Sequence, residues 1–476
     1  MVKLIINDTA NRMHFGDIKT IHFVGIGGIG MSGIAEILQD AGLSVSGCDL
    51  RPSPSTELLM SRGIRVSIGH DPAHVHGVDA IVVTAAVKGK NPEVEAARQE
   101  GVRIIRRSEM LGELVNRKRA VGISGTHGKT STSAMIATIL DEAGLDPTVI
   151  VGGMLRNIGT NAKSGKGEFL VVEADEYDRT FHHLHPEIAV VTNIEADHLE
   201  YYGSFEAIVE AFGVFVDGIK PGGAVVGCAD DPAVRKLLDR VGLPISAAAT
   251  AAAGGRTRVI RYGLSDAADL RAENIEFFER GTHFDVPGVG RFTLYVPGEH
   301  NVRNALAAIA VARELNIDYA VTARGLAKYL GVDRRFQILG LFGGAIIVDD
   351  YAHHPTEIRA TLSAARRGYP SRRIVALFQP HLYSRTRDFS KEFAESLRVA
   401  DVALVAPIYA AREEPIEGIT GRLISEAMEG IEFLEHSNED IVVEMRRRLQ
   451  PNDLFITMGA GDVHRIAEAL VQGGAA

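Results

Sequence analysis

Ala120-Val121-Gly122-Ile123-Ser124-Gly125-Thr126-His127-Gly128-Lys129-Thr130 is the stretch on which the reading of this chain turns. Residues 120–124 are an apolar strand, the glycines after them form a loop, and residues 130–143 follow as a helix that stops at Gly144. The general phosphate-loop pattern G-x-x-x-x-G-K-[ST] misses by one position, because Ile123 stands where its first glycine belongs, whereas the shorter G-T-x-G-K-[ST] fits. In such a loop the backbone N–H groups of residues 125–129 cradle phosphates, Lys129 meets the β- and γ-phosphates as a point charge, and the Thr130 hydroxyl ligates Mg²⁺. A glycine turn with a chance lysine is the bland alternative, and the strand before and helix after it argue against that.

Upstream, Gly25-Ile26-Gly27-Gly28-Ile29-Gly30 is a full G-x-G-x-x-G between an apolar run at 21–24 and an amphipathic helix at 31–41, with Ile34, Ile37 and Leu38 on one face. A second strand at 44–48 ends at Asp49, a carboxylate placed to accept a ribose hydroxyl. The tight turn and the helix N-terminus suit a nucleotide diphosphate, and nothing in them demands nicotinamide. Downstream the pattern restarts after 333–339, with strands at 346–350, 373–378, 402–406 and 454–458. Strands alternating with helices from end to end make this an α/β protein with mostly parallel sheets.

The length of 476 residues corresponds to about three domains. With 46% hydrophobic and 24% charged residues the composition is that of a globular protein, and a net charge of −10 argues against a nucleic-acid partner. Anionic ligands must then be met by local positive groups. Cys48 and Cys228 fit neither a zinc spacing nor a disulfide framework and read as buried thiols in a reducing compartment. Residues 1–12 are too short an apolar run for a signal peptide and no apolar run spans a membrane, which implies a cytoplasmic chain with no membrane partner. Arg117-Lys118-Arg119 reads as an exposed linker or, equally, a solvated helix end, and the Ala-rich stretch 246–255 as a surface loop.

Six motifs then carry a resemblance. Gly125 to Thr130, Glu173-Ala174-Asp175-Glu176, Thr192-Asn193-Ile194-Glu195-Ala196-Asp197-His198, His300-Asn301-Val302-Arg303-Asn304, Arg335-Phe336 and Asp349-Asp350-Tyr351-Ala352-His353-His354-Pro355 occur in the order found in the Mur ligases, ATP-dependent amide ligases of peptidoglycan synthesis. His22 to Gly33, Phe378-Gln379-Pro380-His381 and Ser384-Arg385-Thr386-Arg387 look most like the L-alanine-adding branch. The resemblance covers essentially the whole chain. It implies three α/β domains: a Rossmann-like N-terminal domain for UDP-N-acetylmuramate (1–118), a central P-loop ATPase domain (119–332) and a C-terminal Rossmann-like domain for the amino acid (333–476). ATP and L-alanine are the other implied substrates, and a monomer or weak homodimer the implied state.

Carried over residue by residue, the resemblance gives Gly125, Thr126, His127, Gly128, Lys129, Thr130, Ser131, Asn301, Asn304 and Arg335 to ATP. Mg²⁺ falls to Thr130, Glu173 and His198. The UDP-sugar is given Gly25, Gly27, Gly28, Gly30, Asp49 and Arg107, and the amino acid His353, His381 and Arg385. Lys129, His198, Arg335, Asp350, His353 and His381 are the implied catalytic set, with Arg335 and Asp350 reaching back to the nucleotide once the third domain closes. Asn301 reads equally well as a helix cap, Arg334 stands beside Arg335 as an alternative, and Arg387 as a surface ion pair with Asp388. The general base is either His353 or His381. Two departures stand out: no lysine near Glu210-Ala211-Phe212 supplies the carbamylated ligand of several relatives, and Ala85 occupies the place of an expected serine. The rival classes are a ligase attaching a preformed peptide, an NAD-dependent oxidoreductase built on the Gly25 loop, and a non-catalytic nucleotide-binding module.

Overall fold

A computed structural model describes residues 16–84, 87, 90–242, 257–411 and 413–473. The readings made of residues 1–12, of Ala85 and of 246–255 fall outside these. Among the described residues no helix is long and apolar enough to cross a membrane.

The first sheet is wholly parallel, in the order β3-β2-β1-β4-β5, from β1 (Thr20–Val24), β2 (Ser44–Asp49), β3 (Arg65–Ile68), β4 (Ala80–Val83) and β5 (Arg103–Arg106). The apolar run at 21–24 becomes its buried central strand, and Ile34, Ile37 and Leu38 of the helix Ile29–Asp40 are fully buried. The order reverses at β1, so the Gly25 loop leaves the sheet at its switch point, where α/β proteins bind ligands.

Eight strands make the second sheet: β6 (Arg119–Ser124), β7 (Thr148–Leu155), β8 (Thr160–Lys163), β9 (Phe169–Glu173), β10 (Ile188–Val191), β11 (Ala224–Cys228), β12 (Arg258–Gly263) and β13 (Leu270–Arg271). Only the pair β7 and β8 is antiparallel. β6 runs between β9 and β10, which puts the phosphate loop and the ends of both neighbours side by side. An antiparallel hairpin sheet follows, β14 (Glu273–Phe278), β15 (Gly281–Val286) and β16 (Gly290–Leu294). The last sheet, β17-β18-β22-β19-β20-β21, is parallel except for its edge strand; it comprises β17 (Gln337–Phe342), β18 (Ala345–Asp350), β19 (Arg373–Phe378), β20 (Val402–Val405), β21 (Ile431–Phe433) and β22 (Asp453–Met458).

The chain gathers into two compact units, 1–271 with 303–328, and 272–302 with 329–476. Within the first unit one continuous set of buried apolar side chains, including Ile34, Ile150 and Ala162, joins the first two sheets. The basic triplet there is not an exposed linker. Arg119 opens β6 and grips Glu187 through two nitrogens at 2.7 and 2.8 Å, and Lys118 Nζ donates to the Gly167 carbonyl at 2.8 Å. Both groups serve strand ends of the second sheet, Arg119 from an exposed position.

Gly33 faces β8 so closely that a Cβ would lie 2.9 Å from Ala162 Cβ and 3.2 Å from Asn161 Nδ2. Gly33→Leu should therefore cost about 1–3 kcal/mol by overpacking, and unchanged thermal unfolding in that variant would contradict the close approach.

Candidate active site

The phosphate loop is held by the segment that follows β10. The Thr126 N–H donates to the Asn193 carbonyl at 3.0 Å, the His127 N–H to Asn193 Oδ1 at 2.8 Å, and Thr192 Oγ1 to the His127 carbonyl at 2.6 Å. Thr192 comes so near that a Cβ on Gly125 would overlap its hydroxyl, at 1.9 Å, and Gly125 has a φ of +139°. Only glycine serves there. Gly128, φ +83°, faces Asn304: a Cβ would lie 2.6 Å from Asn304 Oδ1. Asn304, buried in the helix Glu299–Glu314, thus stands against the loop.

Lys129 opens the helix Lys129–Glu142, and its Nζ donates to Glu176 at 2.8 and 3.0 Å and to the Gly125 carbonyl at 2.5 Å. Burial pulls its pKa down, but Glu176, Asp175 and Glu173 outweigh that and hold it above the usual lysine range. Glu176 is buried, which pushes its carboxyl up, and Lys129 works against that shift. This ion pair was not read from the sequence, although Glu176 belongs to a motif that was. Beside it Thr130 Oγ1 donates to Glu173 Oε2 at 3.0 Å, and the Gly152 N–H donates to the same oxygen at 2.7 Å. A hydroxyl and a carboxylate oxygen adjacent at the end of a strand are hard donors that fit Mg²⁺. His198 lies seven residues beyond β10 with a φ of +55°, its ring 5.0 Å from that of Tyr177. The Tyr202 N–H donates to the His198 carbonyl and the Tyr202 hydroxyl donates to the Glu176 carbonyl at 2.5 Å, which ties the His198 turn to the partner of Lys129.

At the Gly25 loop, the N–H groups of Gly25 and Ile26 both donate to the Cys48 carbonyl at 2.9 Å, and the Gly27 N–H donates to Asp49 Oδ2 at 2.9 Å. Asp49 therefore shapes the loop as well as offering a carboxylate beside it. Gly28 caps the helix Ile29–Asp40 without a side chain, leaving its N-terminal amides open to an anion. Arg107 Nη1 would lie 3.0 Å from a Cβ on Gly30, and its Nη2 donates to Thr180 Oγ1 at 3.0 Å. Arg107 also lines a cleft of about 650 Å³ along the ends of β4 and β5.

The second unit brings His353 and His381 together, ring centroids 6.0 Å apart, with Tyr409 stacked 6.0 Å from His381. His353 Nδ1 faces the Tyr351 carbonyl at 3.0 Å and Glu357 Oε2 at 3.2 Å. Arg385 lies in the first turn of the helix Tyr383–Leu397, and Arg387 pairs with Asp388 at 2.7 Å, the surface ion pair that was the alternative. Asn301 is no cap. The helix begins earlier, at Glu299, and Asn301 Nδ2 donates back to the Pro297 carbonyl at 2.7 Å.

Three family models match the chain: "Mur ligase family, catalytic domain" over residues 20–119, "Mur ligase middle domain" over 123–312 and "Mur ligase, glutamate ligase domain" over 334–461. A UDP-N-acetylmuramate–L-alanine ligase of Pelobacter propionicus is 45% identical over 96% of this chain and 98% of its own, and one of Geobacter sulfurreducens 44% identical over 96% and 98%. The chain belongs to the Mur ligase family. Among solved structures, the UDP-N-acetylmuramate-alanine ligase of Thermotoga maritima matches with a TM-score of 0.79 and 29% identity over 95% of this chain and 98% of that one. A murein peptide ligase of Psychrobacter arcticus matches at 0.67 and 25%, over 96% and 99%.

Within this Mur ligase, the helix Phe205–Asp217 carries no lysine, so a carbamylated ligand has no residue to form on there. Arg334 and Arg335 have separate tasks. Arg334 is tied to Asp349 at 2.9 Å and to the Gly459 carbonyl at 2.7 Å, whereas Arg335 meets Glu357 at 3.2 Å. Asp350 sits at the end of β18, inside the last sheet's unit. It is 5% exposed, and its carboxylate accepts from the N–H groups of Phe336 (2.9 Å) and Ala352 (2.8 Å) and from Thr361 Oγ1 (3.1 Å). Its geometry makes it a positioning residue for the Arg335-Phe336 turn.

Burial pushes the Asp350 carboxyl up to about 6, against the pull of Arg335 and the two amides. Because this exceeds the ordinary value of 3.8, the stability it contributes is full below about pH 4 and lost as pH rises through about 6. The melting temperature of wild type relative to Asp350→Asn should shift in favour of wild type as pH falls from about 7 to about 4. A constant difference across that range would refute the assignment.

Proposed function

We propose that this chain joins the amine of L-alanine to the lactyl carboxylate of UDP-N-acetylmuramate, driven by ATP, to give ADP and phosphate in peptidoglycan precursor synthesis. The observation that carries the reading is the near-full-length identity of about 45% to ligases of that name. The division 1–118, 119–332 and 333–476 into sugar-nucleotide, ATP and amino-acid domains belongs to the same proposal. The strands of the first, second and last sheets, Thr20 to Arg106, Arg119 to Arg271 and Gln337 to Met458, each fall inside one of these spans. Two buried free thiols suit a cytoplasmic location.

In this reading the loop residues Gly25, Gly27, Gly28 and Gly30, with Asp49 and Arg107, hold the UDP-sugar. The loop residues 125–131 cradle the ATP phosphates, with Asn301, Asn304 and Arg335 as further ATP contacts. Thr130, Glu173 and His198 would hold Mg²⁺, which when bound neutralises charge on the phosphates. The substrate carboxylate attacks the γ-phosphorus, the bond to the leaving ADP breaks, and an acyl phosphate results. The amine nitrogen then attacks the acyl carbon and the C–O bond to phosphate breaks. Lys129 exchanges Glu176 for the transferring phosphoryl oxygens, a matter of positioning and electrostatics.

His353 is the better base. Its Nδ1 faces a carbonyl and a carboxylate and so carries the proton, leaving the Nε2 lone pair to take a proton from the alanine ammonium. His381 packs against it, and Arg385 supplies a guanidinium for the amino-acid carboxylate.

Phosphate release with UDP-N-acetylmuramate should depend on L-alanine, with glycine poorer by about tenfold or more in kcat/KM. Preference for a tripeptide would replace this reading with that of a peptide-attaching ligase. Lys129→Ala should lower the rate by about 100-fold or more, and near-normal turnover would sink the phosphate-loop assignment.

A further inference from the structure

Behind the Gly25 loop, buried in the first sheet, lies a cluster that the ligase reading does not use. Glu93 heads the helix Pro92–Glu100 and is fully buried. Its Oε1 is 2.6 Å from His74 Nδ1 and 3.6 Å from His22 Nε2, and its Oε2 is 3.0 Å from Cys48 Sγ and 2.9 Å from His70 Nδ1. His22 comes from β1, Cys48 from β2, and His70 and His74 from the chain after β3, so three separate segments converge on one carboxylate.

The His22 ring is the telling member. It is 2% exposed, its Nδ1 is engaged by Ser46 Oγ at 2.9 Å, and its Nε2, aimed into the cluster, has no hydrogen-bond partner. A buried nitrogen lacking a partner is costly. One ligand atom from each of His22, Cys48, His74 and Glu93 lies within 4.8 Å of all the others. Four N, S and O ligands around a tetrahedral ion at bond lengths of about 2.0–2.3 Å stand roughly 3.3–3.8 Å apart, a spacing that small side-chain adjustments reach from these distances.

We propose that His22 Nε2, Cys48 Sγ, His74 Nδ1 and a Glu93 oxygen form a binding site for a zinc-class divalent transition-metal ion. Imidazole and thiolate donors select such an ion over Mg²⁺, for which the chain has its separate oxygen donors at Thr130 and Glu173. His70 orients the carboxylate from the remaining side, and Ser46 orients the His22 ring. Cys48 binds as thiolate and releases its proton to solvent. Its own carbonyl accepts from Gly25 and Ile26, so the ion would brace the glycine loop from beneath. The proposal stands independently of the ligase reading.

The test uses the full chain, stripped with a chelator, free of nucleotide and titrated with Co²⁺. One equivalent should bind with a near-ultraviolet thiolate-to-cobalt charge-transfer band, displaced by Zn²⁺ but not by Mg²⁺. Cys48→Ser should lose the band with its circular dichroism unchanged, and His74→Ala should weaken binding by about tenfold or more. No band in the folded wild type overturns the site, whatever the variants do. So does a band that survives in Cys48→Ser, which would place the ion at another thiol.

Discussion

A lysine meant for a triphosphate cannot be left bare in a buried loop, and the Lys129–Glu176 ion pair is the constraint around which the first unit is arranged. Both charges are largely withdrawn from water, where an unpaired ion is costly and a paired one tolerable. The pair also orders its surroundings. Glu176 is reached through Tyr202 by the turn that carries His198 in a left-handed conformation, and the loop carbonyl of Gly125 takes part of the ammonium's hydrogen bonding. In the proposed reading incoming phosphate has only to replace a carboxylate already in place, so little reorganisation is needed before Lys129 meets its charge.

Much of the fold was legible because its signals are local. The strand-loop-helix units at 21–41 and 120–143 announce themselves by apolar runs bounded by glycine, and both lie in the structure within two residues of where the pattern put them. The basic triplet at 117–119 was open to two readings, a linker or a helix end, because charge alone does not say whether a side chain faces water or a partner; it follows the helix Arg107–Val115, where Arg117 pairs back to Glu113, and Glu187 is 68 residues from Arg119. Asn301 was open to two readings for a similar reason. Whether it caps a helix depends on where that helix starts, and the boundary is three residues earlier than a cap requires.

Site residues split along the same line. Lys129, Thr130 and Glu173 stand out in the sequence because their motifs are contiguous, whereas the pairing of Lys129 with Glu176 and of Arg335 with Glu357 joins segments that no spacing rule connects. Asp350 is where the motif puts it, and its oxygens accept from the backbone of Phe336 and Ala352, contacts that no spacing rule announces. Glu93 was invisible as a hub for the opposite reason, since its partners come from three stretches separated by some twenty residues or more from one another, and only the pair His70 and His74 is close in sequence.

The contact at Gly33 bears on more than packing. Asn161 Nδ2 donates at 2.7 Å to the carbonyl of Ile29, the first residue of the helix that opens at the diphosphate loop, while Asn161 itself belongs to the sheet from which the phosphate loop springs. A helix start and a strand are thereby pinned to each other with no flexible side chain between their backbones at Gly33. The two glycine loops sit at the ends of a spacer whose length is set at folding, not by what binds. In the proposed reading a sugar nucleotide seated on the Gly25 loop has its reach toward the other loop fixed in advance by this packing, so the chain gauges its substrate by a distance set within one folded unit.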